Sequence, residues 1–146
     1  MTCEFCKDTL QESIKDRTVA AIDNFLIVTP NHPAHEFHLL IFDQSVHVAK
    51  IHQFEDSRCI SLKNLIYKLD AVFKKYLEGY QGYNMTSNNG SAEIGQHIQH
   101  AHIHLFMRFE DESQSPFVRL ASGESLNVVD SMRMSVEMIS RLKESA

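Results

Sequence analysis

The segment His100-Ala-His102-Ile-His104-Leu105 limits the fold more than any other stretch, because imidazole and apolar side chains alternate strictly along it. A period of two is the pattern of a β-strand with one polar and one buried face. It predicts a strand over 100–108, with His100, His102 and His104 on one face and Ala101, Ile103 and Leu105 packed on a helix. Three imidazoles this close would repel one another if all were protonated, so they are expected to be largely neutral near pH 7. Neutral imidazole is both a metal ligand and a nucleophile. Two uses of the face follow: all three rings ligate one metal, or the face divides its labour between metal and phosphate.

The loop before this strand, Ser87-Asn-Asn-Gly90-Ser-Ala-Glu-Ile-Gly95, favours the second use. Gly90 and Gly95 permit close backbone approach and exposed amide groups, which looks more like an anion cradle than a metal cage. Elsewhere, Val19 to Asp23 and Phe25 to Thr29 read as a hairpin turning at Asp23-Asn24, and His38 to Phe42 as a buried strand after the Pro30–Pro33 loop. From Ser57 to Glu78 apolar residues recur at the spacing of one helix face, with Gly79 placed to end the helix in a left-handed conformation. A strand over Tyr83 to Thr86 follows. A last helix is expected from the spacing of Leu126, Val129, Met132, Val136, Ile139 and Leu142.

A chain of 146 residues, 43% of them hydrophobic, has the material for one core and not two. Its net charge of −5, with lysine and arginine scattered, argues against long nucleic acid as a partner and leaves room for a small anion at a local site. No apolar run approaches a membrane span, and Met1-Thr2-Cys3-Glu4 does not read as a signal peptide, so a cytoplasmic protein is expected. Among three cysteines, Cys3-x-x-Cys6 suggests metal or redox chemistry rather than a disulfide framework.

His100-Ala-His102-Ile-His104-Leu-Phe, preceded by Asn88-Asn-Gly90 and Gly95-Gln96, resembles the signature of the histidine triad (HIT) nucleotide hydrolases and transferases. The resemblance runs from Cys3 to about Arg108, its parts in the family's order. It implies an α+β fold, an antiparallel sheet of about five strands with one long helix packed on it and a C-terminal helix. Residues 1–146 then form a single domain, with 1–110 the family core and 111–146 a C-terminal extension.

By the same resemblance, His102 attacks the α-phosphate and carries a transient nucleotidyl group, which water releases as the nucleoside monophosphate. His104 matches the position that contacts the phosphate; Gln96, Asn88 and the backbone around Gly95 and His97 match those that hold and polarise it. The implied substrates are nucleoside 5′-phosphate derivatives of the diadenosine polyphosphate or nucleoside phosphoramidate type. Two alternatives stand beside hydrolysis: a nucleotidyl transferase or phosphorylase using the same intermediate, and a non-catalytic nucleotide- and zinc-binding module. Some relatives carry a structural zinc whose ligands match Cys3, Cys6, His47 and His100, a closed tetrahedral set. No magnesium is implied, and a homodimer formed through the long helix and a strand is.

Several positions depart from the family pattern. Gln99 stands where a proline or aromatic residue is usual, and His97 replaces a serine or threonine. The 88–96 loop is one residue longer, and the Pro30–Pro33 loop lacks the acidic residue that often holds ribose hydroxyls. Of the other histidines, His38 is expected to be buried and structural; His32, His35 and His52 are expected to be surface or hydrogen-bonded groups. Cys59 and the methionines read as core filling, and Lys74 and Lys75 as solvated helix surface.

Overall fold

A computed structural model describes residues 3–35, 37–110, 112 and 115–117. The helix expected over 126–142 lies outside the described residues. Five strands form one antiparallel sheet in the order β1-β2-β3-β5-β4, where β1 is Thr18–Ile22, β2 Phe25–Val28, β3 His38–Asp43, β4 Tyr80–Thr86 and β5 His102–Phe109. The β1–β2 hairpin turns at Asp23 (φ 50°) and Asn24 (φ 66°), two residues that tolerate the left-handed region a two-residue turn requires. A short helix α1, Glu12–Asp16, leads into β1, and the long helix α2 spans Asp56–Tyr76 between β3 and β4.

The amphipathic spacing of α2 becomes its packing. Leu65, Leu69, Val72 and Phe73 are buried against Ile27, Leu39, Ile41, Ile103, Leu105 and Met107, which are the alternate residues of β2, β3 and β5 on one face of the sheet. Helix α2 ends at Tyr76; Gly79, at φ 78°, sits beyond the cap, where the chain reverses into β4. On the opposite face Leu26, Val28 and Phe42 are covered by Phe5 and Ile14 from the N-terminal segment. Phe5 reaches the edge of the His102 ring, and His102 and His104 pair across the sheet with Phe42 and Leu40 of β3. The N-terminal segment and the central strands therefore bound a hollow on the histidine face.

Three expectations need correction. Strand β5 begins at His102, and His100 lies just before it in a bend. Cys59 is exposed, because it lies off the apolar stripe of α2. Met85 is half exposed on edge strand β4, whereas Met107 is core as expected. Among the described residues, no helix is long and apolar enough to cross a membrane.

Candidate functional site

Each triad histidine has one ring nitrogen fixed by a group whose donor or acceptor role is known, so the tautomers follow from geometry. The His102 Nδ1–H donates to the His100 carbonyl at 2.8 Å, which leaves Nε2 as the basic nitrogen. The His38 Nδ1 accepts from the Ala34 amide at 3.0 Å, so its Nε2–H donates to His104 Nδ1 at 2.9 Å. His104 must then carry its remaining proton on Nε2. His100 donates Nε2–H to the Asp43 carbonyl at 2.7 Å and turns its unprotonated Nδ1 toward the cysteines. The triad thus presents three different faces: a base at His102, a donor at His104 and a ligand at His100.

His102 and His104 line a cavity of about 300 Å³ together with Gly95, His97 and Ile98 on one side and Glu4, Phe5, Arg17, Asn31 and His32 on the other. The size suits a small-molecule site. A larger groove of about 610 Å³ between α2 and the β1–β2 turn is lined by Asp23, Tyr67 and Lys75 among others, whereas His102 and His104 line the smaller cavity. Arg17 places a guanidinium at that cavity and donates to the Thr29 carbonyl.

Gly95 lines the cavity and Asn88 stands behind it. At φ 109° Gly95 adopts a conformation that disfavours any side chain, and a Cβ there would meet the Asn88 amide at 3.0 Å. The two glycine amides are not open to an anion, however: Gly95 N–H bonds the Ala92 carbonyl and Gly90 N–H the Gln96 Oε1. Gln96 itself is fully buried, its Nε2 donating to the Ala49 and Ile98 carbonyls, and it does not line the cavity. It pins the loop from behind. His97, by contrast, is exposed at the cavity wall.

Cys3, Cys6, His47 and His100 converge from the N-terminal segment, the loop after β3 and the bend before β5, with their ligand atoms all within 4.8 Å of one another. Cys3 Sγ lies 3.3 Å from His100 Nδ1, Cys6 Sγ 3.2 Å from His47 Nδ1, and the two Nδ1 atoms 3.3 Å apart. A tetrahedral zinc with Zn–S of about 2.3 Å and Zn–N of about 2.0 Å sets neighbouring donor atoms roughly 3.3–3.8 Å apart, close to these distances. The residues therefore fit such an ion. The hydrogen bond from His100 Nε2 to Asp43 supplies the orientation a ligating imidazole normally has. Asp43 is in turn held by Arg58 of α2, whose Nε reaches Asp43 Oδ2 at 2.6 Å.

Burial on this face disfavours charge. Burial, and then the neighbouring His102, push the His104 imidazole down to about 4; burial first of all lowers His102 and His38 as well. Because the ordinary value is 6.5, between that pH and about 4 the unfolded chain binds a proton that folded His104 refuses. Stability must then rise with pH across this window, by up to about 1.4 kcal/mol per pH unit for each such group. The urea midpoint is expected to fall from pH 7 to pH 5, less steeply in His104→Gln; an unchanged midpoint would contradict the neutral triad.

His35, read from sequence as a surface or hydrogen-bonded group, is buried, with Nε2 at 3.3 Å from the Glu112 carboxylate. That pairing carried no sequence signal, since Glu112 has no periodicity or motif around it. A family model described as the HIT domain matches residues 11–111. An uncharacterized HIT-like protein of Methanocaldococcus jannaschii is 27% identical over 112 residues, covering 77% of this chain and 83% of that protein. In structure the chain is similar to a Zn-bound histidine triad family protein from Mycobacterium smegmatis, with a TM-score of 0.72 at 17% identity over 100% of this chain and 99% of that one. It is also similar to a hypothetical histidine triad nucleotide-binding protein from Sulfolobus tokodaii, with a TM-score of 0.68 at 16% identity over 97% of this chain and 93% of that one.

Proposed function

Because the chain belongs to the HIT family, we propose that it hydrolyses nucleoside 5′-phosphate derivatives through a transient nucleotidyl group on His102. The observation that carries this reading is the hydrogen bond from His102 Nδ1–H to the His100 carbonyl, which leaves an unprotonated Nε2 on a residue lining the cavity. Nε2 attacks the α-phosphorus, and the bond to the leaving group breaks with its electron pair. The leaving group takes up a proton from solvent, to which the attacking water of the second step returns one. Water then attacks phosphorus on the same line, the P–N bond breaks, and nucleoside monophosphate departs with His102 neutral again.

The other groups support this sequence of steps. His104, with its proton on Nε2, donates to a phosphate oxygen, and the His38 imidazole behind it keeps that tautomer. The His97 amide, which bonds no described residue, adds a donor, and Arg17 adds charge at the cavity. Gly95 and Asn88 shape the loop that brings these groups to the phosphate, and Gln96 braces it. Zinc on Cys3, Cys6, His47 and His100 closes a four-ligand shell with no open place, so its part is structural, and no magnesium enters the scheme. Residues 1–110 form the catalytic unit, with 111–146 an extension, in a cytoplasmic protein whose thiols stay reduced. Ile60, Tyr67, Tyr83 and Met85 expose apolar surface on α2 and β4, which suits a homodimer through that face.

A transferase or phosphorylase would share the intermediate and differ only in its acceptor. Turnover of a dinucleoside polyphosphate and of a nucleoside phosphoramidate, each with and without added inorganic phosphate, distinguishes the two. Nucleoside monophosphate is expected as product in both conditions. Nucleoside diphosphate appearing in proportion to added phosphate would replace the hydrolase reading by the phosphorylase one.

A further inference from the structure

Among the described residues lining the histidine cavity, Glu4 supplies the one carboxylate. It bonds no described residue: neither a hydrogen bond nor an ion pair engages its side chain. Its place is set by its neighbours. Phe5, the next residue, stacks on Phe42 with ring centroids 4.0 Å apart and meets the His102 ring edge-on at 5.5 Å, while Cys3 on the other side belongs to the cysteine–histidine cluster. Glu4 is thus carried on a short loop tied down at both ends, and it lines the same cavity as His102.

A carboxylate accepts hydrogen bonds only, and its two oxygens match a pair of adjacent hydroxyl groups, as acidic residues do when they bind a ribose. A phosphate would be repelled by it. The cavity is therefore polar in two senses, with donors and a cation for an anion around His104, His97 and Arg17, and an acceptor for hydroxyls at Glu4. We propose that Glu4 is a specificity-determining residue that binds the vicinal hydroxyls of the substrate's sugar and so selects ribonucleotides over 2′-deoxyribonucleotides. The inference rests on the nucleotide reading above and adds which sugar the site accepts.

The test is calorimetric binding of adenosine 5′-monophosphate and its 2′-deoxy counterpart to the zinc-loaded wild type, to Glu4→Gln and Glu4→Ala, and to Asn31→Ala, which removes one of the two side-chain amides, Gln11 and Asn31, on this cavity. The wild type is expected to prefer the ribonucleotide about tenfold or more, as a charge-assisted hydrogen bond implies. Both Glu4 variants should bring that ratio to within about threefold, through weaker binding of the ribonucleotide alone, and Asn31→Ala should keep it. A wild-type protein that binds both equally, Glu4 variants that keep the ratio, or an Asn31→Ala protein that loses it would each overturn the role of Glu4 while leaving the nucleotide reading intact. Binding of neither nucleotide would overturn both. Glu4 is exposed, so the variants should fold as the wild type does, with zinc content as the check.

Discussion

Replacing His102 with alanine is expected to lower turnover of an adenylylated substrate by at least about 10⁴-fold, a loss of about 5.5 kcal/mol of transition-state stabilisation. The size follows from the role: with the nucleophile gone, one difficult displacement is no longer split into two easier ones. His104→Ala should cost less, about 10²-fold to 10³-fold, because it removes one donor and leaves the attacking nitrogen. Steady-state kinetics with a saturating substrate measures both. The comparison requires a folded variant, since His102 is buried and its loss leaves the His100 carbonyl without its donor, at a cost of about 1–3 kcal/mol. A His102→Ala protein that keeps its circular dichroism and zinc yet turns over within tenfold of the wild type would contradict the assignment.

The second large effect concerns the cysteine–histidine cluster. Cys6→Ser, or chelation of the metal, should lower the unfolding free energy by several kcal/mol and the melting temperature by roughly 10 °C, because metal binding is also folding free energy for the segment it ties down. The consequence is not confined to stability. Phe5 lies between the two cysteines, stacks on Phe42 and touches the edges of both His100 and His102, so the cluster holds one wall of the cavity. Substrate binding should weaken along with stability, while the rate at saturation falls far less than in His102→Ala. The wild type should contain about one zinc per chain by elemental analysis. Protein prepared without chelator and found free of metal would refute the site, as would a Cys6→Ser variant with wild-type stability.

Much of the fold could be read from the order of residues, where one physical rule decided each element. The period of two places Ile103 and Leu105 against α2, and the three-and-four spacing of α2 puts Leu65, Leu69 and Phe73 on the buried side. Asp23 and Asn24 mark their hairpin because few other residues accept positive φ. Misreadings arise where tertiary context decides. Strand β4 starts at Tyr80, ahead of the strand expected from Tyr83, because pairing with β5 carries it past a register shift at Gly82, a residue with no side chain to show alternation. Cys59 is apolar by composition but faces outward because of its angular position on α2.

The site divides the same way. The face shared by His102 and His104 follows from alternation alone, whereas the tautomers depend on the Ala34 amide and the His100 carbonyl, which no sequence pattern shows. His47, one of nine histidines, has no local feature to mark it; the resemblance alone pairs it with the cysteines, and the fold brings it to them. The resemblance implies that Gln96 holds the phosphate, yet its amide bonds Gly90, Ala49 and Ile98 and so braces the loop.

The most direct test of the central claim is to mix the protein with an adenylylated substrate, quench within one turnover without acid, and map the added mass by peptide mass spectrometry. A nucleoside monophosphate residue on the peptide spanning His102, absent from His102→Ala, is the result this account predicts. Rapid product formation with no adduct at His102, or an adduct carried by a different residue, would contradict it.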